Sequence, residues 1–166
     1  MISYLLDANI FIQAKNFLYP FDVFPGFWDW LKRDMESGVL GSIIPVYDEL
    51  TVGNDELVNW ISQFKDSGYF LRVDDTETQK KYTEIASWVV SVQNFKQTAR
   101  EDFFRGADSW LIAKALSTNT IVVTHEKLEP NCIRRVPIPN VCKAFDVTYI
   151  DILELIRKTG VRFGIR

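Results

Sequence analysis

The 166-residue sequence is poor in the side chains that most often bind transition metals or act as nucleophiles. It has one histidine and two cysteines, Cys132 and Cys142, which form no CxxC motif. Two isolated thiols make a poor zinc or redox site, so we interpret them as reduced residues that pack in the interior.

Long apolar runs are also absent from the sequence. The apolar segment Ile2–Ile12 is interrupted by Asp7 and has no basic leader before it. A membrane-spanning helix needs about 20 consecutive apolar residues, and a secretory signal needs a basic start. We therefore expect no membrane association and a cytoplasmic location.

An excess of basic residues is lacking as well, since the net charge is −3. This argues against nucleic-acid binding through a uniformly basic surface. The charge is nonetheless uneven: residues 1–126 contain 11 basic and 18 acidic residues, a balance of −7, whereas residues 127–166 contain 8 basic and 4 acidic residues, a balance of +4. The split fits either ordinary solvated helix faces or a basic rim beside an acidic site.

What the chain does contain is a large apolar and aromatic fraction, 47% and 14% of its residues. At this length, that fraction predicts a single domain over residues 1–166 with a substantial core. One apolar stretch is rich in aromatic residues, which indicates either core packing or a groove for a dimer or an inhibitor. Its aromatic residues are Phe17, Tyr19, Phe21, Phe24 and Phe27.

Apolar runs that suit strands alternate with segments of helical periodicity. The predicted strands are Ile2–Leu6, Val39–Ile44, Tyr69–Val73, Thr120–Thr124 and Val147–Ile150. The predicted helices are Phe27–Met35, Val46–Leu50, Asp55–Phe64, Thr76–Phe95, Ser109–Leu116 and Asp151–Lys158, and His125–Pro139 is predicted as a loop. This alternation predicts an α/β fold, with a parallel sheet of about five strands and helices on both faces.

Four acidic residues fall at the ends of predicted elements. Asp7 follows the first strand, Glu49 lies just past the second, Asp108 begins the buried helix and Glu126 follows the fourth strand. In a parallel sheet these positions can converge at the edge formed by the carboxyl ends of the strands. Converging carboxylates repel one another unless they bind a hard divalent cation. The pattern therefore predicts a site for Mg²⁺ or Mn²⁺.

The segments around these acids resemble, in the same order, four motifs of the PIN-domain family. The matching segments are Tyr4–Ile10, Ile43–Leu50, Ala107–Ala115 and Ile121–Glu126. Together with the intervening lengths, the resemblance covers essentially the whole chain. At position 126 the family more often has aspartate, so either Glu126 or Thr124 supplies the fourth group of the site.

The resemblance implies a three-layer α/β/α sandwich with strand order 3-2-1-4-5. It also implies a metal-dependent endoribonuclease in which Asp7, Glu49, Asp108 and Glu126 are catalytic metal ligands. RNA would be the substrate. The family further suggests a homodimer and a toxin role with a cognate antitoxin protein.

Other polar residues near the motifs are candidates for supporting roles. Asn9 and Thr124 could orient the ligands, with helix or turn capping as the alternative. Four basic residues could contact RNA phosphates, with solvated surface charge as the alternative. These four are Lys15, Lys114, Arg134 and Arg135.

Several acidic or basic neighbours are given no catalytic role. Asp48 is adjacent to Glu49, but neighbouring helical residues point about 100° apart, and the family motif selects Glu49. Glu101 and Asp102 have the character of an ordinary charged face. His125 is tempting as a general base, but a site with two metal ions needs none.

Two other functions remain open. A PIN-like module could bind RNA or protein without cutting, although it would then have no reason to keep four repelling acids. An aspartyl phosphotransferase or phosphatase with Asp7 as nucleophile usually has a second aspartate two residues on, where this chain has Asn9.

Overall fold

The computed structural model describes residues 1–165, which form five strands and nine α-helices. The strands are β1 Tyr4–Leu6, β2 Leu40–Ile43, β3 Phe70–Leu71, β4 Ile121–Val123 and β5 Tyr149–Ile150. The helices are α1 Ala8–Gln13, α2 Pro25–Glu36, α3 Ile44–Leu50, α4 Glu56–Ser62, α5 Thr76–Ser91, α6 Gln97–Arg105, α7 Asp108–Thr118, α8 Ile138–Ala144 and α9 Ile152–Thr159. A π-helical turn, Ala14–Leu18, continues α1.

The five strands form one parallel sheet in the order β3-β2-β1-β4-β5, flanked by helices. This confirms the predicted fold class and strand order. In the register of the central strand, Tyr4 is opposite Leu40 on one side and Ile121 on the other. The chain winds outward from β1 to β2 and β3, and then crosses to β4 and β5 on the other side. The gap between the carboxyl ends of β1 and β4 is therefore the topological switch point, where α/β sheets bind ligands.

The core lies between this sheet and its helices. Leu5 and Leu6 of β1 are fully buried, as are Leu111 and Ile112 of α7. Helix α7 packs against the central strands and is covered in turn by α5. Burial of each such side chain contributes about 1.5–3 kcal/mol relative to exposure, so the two elements that carry Asp7 and Asp108 are firmly held.

The helices before β4 differ from the prediction. The long helix predicted for Thr76–Phe95 ends at Ser91, because Val92 adopts an extended conformation (φ −76°, ψ 104°). The Arg100 guanidinium donates to the Val92 carbonyl at 2.7 Å and stabilises this turn. Residues Gln97–Arg105 then form α6, which we did not predict.

Two shorter departures lie beside the strand ends. Helix α1 and its π-helical continuation follow Asp7 directly and were not predicted. The predicted loop His125–Pro139 is irregular for most of its length, but α8 begins within it at Ile138. Pro139 is compatible with that start because the first helical N–H groups have no partner within the helix.

The aromatic stretch contributes mainly to the core. Tyr19 stacks on Phe27 with ring centroids 4.2 Å apart, and Phe21 stacks on Trp28 at 4.0 Å. Phe17 and Phe24 are the exceptions, with 76% and 44% of their surface exposed. Packing thus accounts for most of this segment.

The two cysteines and the apolar segments can now be located in the fold. Cys132 and Cys142 are free thiols, and burial raises the pKa of Cys142 to about 12. Within residues 1–165, no helix combines the length and the hydropathy needed to cross a membrane.

Candidate active site

Asp7 occupies the centre of the candidate site, directly after β1. Its side chain is almost completely buried, with 1% of the residue exposed. Its backbone N–H donates to the Val123 carbonyl at 3.0 Å, which holds it beside the end of β4. Burial, reinforced by the negative charge of Glu126, raises the pKa of Asp7 to about 7. A carboxylate in this position is therefore costly to ionise unless a cation joins it.

Thr124 links Asp7 to the segment after β4. Its hydroxyl donates to Asp7 Oδ2 at 3.2 Å and accepts the backbone N–H of Glu126 at 3.1 Å. The residue is 1% exposed, so both bonds are shielded from water. Thr124 thus makes the hydrogen bond to a carboxylate that the sequence analysis expected of a supporting residue.

Asp108 is the first residue of α7 and enters the site from the neighbouring helix. Its pKa is raised to about 8, first by burial and then by the charges of Asp7, Glu126 and Glu49, with partial relief from Arg135. A helix start favours a negative charge, so burial and like-charge repulsion outweigh that preference here. The structure therefore brings the four predicted acids into electrostatic contact.

Glu49 reaches the site from the last turn of α3. Its Oε1 accepts the backbone N–H of Ala107 at 2.8 Å, immediately before Asp108. This bond ties α3 to the start of α7, and Glu49 makes it although both Glu49 and its neighbour Asp48 are exposed.

Glu126 lies on the opposite flank and has a cationic partner. Arg135 donates to Glu126 Oε1 at 2.6 Å and to Glu129 Oε1 at 2.7 Å. The second Glu126 oxygen accepts the Ile138 N–H at 3.3 Å. Burial raises the pKa of Glu126, and Arg135 opposes that rise. Arg135 was a candidate phosphate contact in the sequence, and its ion pair with Glu126 was not predicted.

The chemistry of these side chains fits a hard divalent cation. All four are oxygen ligands, and three have a pKa raised by burial, with neighbouring carboxylates adding to the rise for Asp7 and Asp108. A bound divalent ion would relieve this repulsion. The geometry is less complete, because no three His, Cys, Asp or Glu side chains among residues 1–165 are grouped as a ready metal site. Glu49 and Glu126 are engaged with Ala107 and Arg135 instead.

His125 lies beside the site but belongs to different surroundings. It is half-buried, and its Nε2 has no hydrogen-bond partner within residues 1–165. Burial lowers its pKa, and the charges acting on it are those of Asp151 and Lys127. The four acids are not among the charges that shift the pKa of His125.

The remaining predicted residues lie at the margins. Asn9 is exposed in the first turn of α1. Lys15 donates to Asp55 at 2.6 Å and Lys114 to Asp75 at 2.8 Å, while Arg134 is exposed. Their contact with RNA stays a prediction, but two of the three cations already have an acidic partner.

The other acids near the motifs lie on a charged helix face, as expected. Glu101 and Asp102 are exposed on α6. Glu101 accepts from Gln97 at 3.3 Å and Asp102 from Arg105 at 3.1 Å.

Two cavities of similar size border the acidic residues. One of about 230 Å³ is lined by Glu49, Lys15 and Asn16, and the other, of about 240 Å³, by Thr124, Glu126 and Lys127. A larger cavity of about 720 Å³ lies elsewhere, between the start of α2 and the segment Val161–Ile165. Each small cavity has a mixed polar and apolar lining, and neither is lined by Asp7 or Asp108.

The fold makes this chain a parallel α/β protein with four acidic residues near the switch point of its sheet. The chain belongs to the family described as a domain of unknown function, DUF4411, whose model matches residues 4–163. No curated protein and no solved structure matches the chain.

Proposed function

We propose that this protein is an endoribonuclease that depends on Mg²⁺ or Mn²⁺ and hydrolyses RNA phosphodiester bonds at the acidic site. The observation that carries the proposal is the convergence of Asp7, Glu49, Asp108 and Glu126 at the switch point of the sheet. The pKa values of Asp7 and Asp108 are raised to about 7 and about 8 by burial and by their acidic neighbours. The resemblance of the four motifs to PIN domains supports the choice of RNA as substrate.

In this proposal Asp7 and Asp108 bind the ions directly, while Glu49 and Glu126 complete the set from either side. Bound divalent ions would activate water and neutralise the phosphate charge. Thr124 orients Asp7 through its hydroxyl, and the Glu49–Ala107 bond fixes the start of α7. Such supporting bonds preserve the spacing between ligands.

The cellular setting of the proposal derives from the PIN resemblance. It includes a cytoplasmic location, a homodimer and a toxin role opposed by a cognate antitoxin protein. The structure gives the phosphotransferase alternative no added support. Lys15 donates to Asp55 and Lys114 donates to Asp75, so neither of these two lysines is a partner of Asp7.

One observation favours a second function, a module that binds RNA or protein without cutting. Glu126 is neutralised by Arg135, and no ready metal group exists among the described residues 1–165. A protein relieved of catalysis could keep its acids in such a state.

Cleavage of a mixed single-stranded RNA by the purified protein tests the proposal. We expect cutting with Mg²⁺ or Mn²⁺, none with EDTA, and its loss in Asp7→Asn and Glu49→Gln. Asp48→Asn is the matched control, because it removes an adjacent exposed carboxylate, and it should cut normally. RNA binding without cutting in either metal would favour the binding module.

A further inference from the structure

Arg135 makes a forked contact that joins two acids of different character. One amino group donates to Glu126 Oε1 at 2.6 Å and the other to Glu129 Oε1 at 2.7 Å. Glu126 belongs to the acidic site, with its side chain 14% exposed, whereas Glu129 lies on the surface at 46%. Arg135 itself is about half exposed, so it stands at the boundary between the site and the solvent.

The contact leaves Glu126 with little capacity for another partner. Both of its oxygens accept hydrogen bonds, one from Arg135 and the other from the Ile138 N–H at 3.3 Å. A divalent ion bound to Glu126 Oε1 would lie next to a guanidinium of the same sign. The ion and Arg135 therefore compete for one carboxylate.

Glu129 can keep its hydrogen bond to Arg135 when an ion takes the place of Arg135 on Glu126. Its backbone is anchored on both sides by the Asn140 amide, which accepts from the Glu129 N–H at 3.0 Å and donates to the Glu129 carbonyl at 2.8 Å. The segment between Glu126 and Arg135 has no helix or strand, so the arginine can pivot without unfolding an element. The second half of the fork can thus persist without the first.

We propose that Arg135 is a built-in counter-ion of the acidic site, which a divalent ion must displace from Glu126 onto Glu129. This inference rests on the proposed function, because it takes Glu126 as a metal ligand. It explains why the acids converge without forming a finished ligand group. The arginine sets how much divalent ion the site requires, and it lowers the apparent affinity for metal.

Mn²⁺ binding, measured by electron paramagnetic resonance of the free ion, tests this proposal without any activity assay. Removing the competitor in Arg135→Ala or Arg135→Gln should tighten Mn²⁺ binding about 1.5- to fivefold, the range for loss of one partly exposed ion pair. Arg134→Ala is the matched control, since it removes the adjacent exposed arginine, and it should bind like the wild type. Thermal unfolding of each variant confirms that it is folded.

A second pair of variants separates this specific competition from a general effect of charge. In a Glu126→Gln background, Arg135→Ala should give no further gain, because the contested carboxylate is gone. Unchanged or weaker binding in both Arg135 variants would overturn the proposal, as would an equal gain in Arg134→Ala or a gain that persists with Glu126→Gln.

The metal site and the displacement fail in different ways. If the wild type binds no Mn²⁺, or if Asp7→Asn binds it equally well, the metal site itself is refuted, and the displacement falls with it. If Asp7→Asn abolishes binding while the Arg135 variants match the wild type, the displacement alone is refuted.

Discussion

Two aspartates precede helices with almost the same backbone geometry and have opposite environments. Asp7 precedes α1 with φ −67° and ψ 151°, and Asp75 precedes α5 with φ −73° and ψ 154°. The Asp75 side chain accepts the Thr78 N–H at 2.9 Å and the Lys114 ammonium at 2.8 Å. The Asp7 side chain makes no such capping bond. Asp75 caps the start of its helix, whereas the Asp7 carboxylate accepts the hydroxyl of Thr124.

Electrostatics separates the two residues further. Hydrogen bonds from Lys114 and Thr78 hold the pKa of Asp75 well below its usual range. Burial and the charge of Glu126 raise the pKa of Asp7 to about 7. Asp75 is stabilised in its charged form by its partners, whereas burial and the charge of Glu126 destabilise the charged form of Asp7. The local backbone is thus a poor guide to role, and the partners of the side chain are a good one.

The largest effect should come from exchanging each aspartate for its amide. We expect Asp7→Asn to lower RNA cleavage about 100-fold or more, because direct ligands matter at least as much as the groups behind them, whose loss costs about 10–100-fold. Asp75→Asn should leave cleavage unchanged. Initial rates with saturating Mn²⁺ provide the comparison, and equal losses in the two variants would remove the distinction between the aspartates.

Thr124→Val should have the next largest effect, because it removes the hydroxyl that bonds Asp7 while keeping the shape of the side chain. We expect cleavage to fall about 10- to 100-fold. Thr124→Ser keeps the hydroxyl and should retain most of the rate. A valine variant as active as the wild type would show that Asp7 needs no orienting partner.

The comparison also shows which parts of the site could be read from the sequence. Asp7 could be predicted, since an apolar run that stops at an acid is typical of a buried parallel strand and its functional end. Asp108 and Glu126 could be placed for similar reasons, because each borders a strongly apolar element. Local patterns carry this information well.

Long-range pairings were beyond such patterns. The bond from Lys114 to Asp75 spans 39 residues, so the sequence offered Lys114 only as a candidate phosphate contact or a solvated charge and did not predict this pairing. Arg135 meets Glu126 through an irregular loop whose path has no periodicity to read. Helix α6 was missed because its apolar face is narrow, with Ala99 and Phe103 as its buried residues.

A smaller effect is expected in the stability of the metal-free protein as pH changes. The folded state holds protons on Asp7 and Asp108 more tightly than the unfolded chain, whose aspartates titrate near pH 4. Raising the pH from about 4 to about 8 therefore lowers stability, by about 4 kcal/mol between pH 6 and pH 8.

Urea unfolding at several pH values measures this slope. The lowered pKa of His125 opposes it, but only below about pH 6.5, where free histidine becomes protonated. Asp7→Asn should flatten the slope, and Mn²⁺ at about 100 times its dissociation constant should restore about 2.7 kcal/mol at pH 8. Stability that rises over this range in the metal-free wild type would contradict the raised pKa values.

The smallest effect should appear in the unfolding free energies of the same two amide variants at pH 7.5 without metal. Asp75→Asn keeps a side-chain oxygen that can cap α5 but loses the charge that pairs with Lys114, so we expect a cost of about 0.5–1 kcal/mol. Asp7→Asn removes a repelled, buried charge, so it should be neutral or stabilising. A stability loss in Asp7→Asn larger than that in Asp75→Asn would mean that Asp7 holds the fold together, and its availability for a cation would then lose its physical basis.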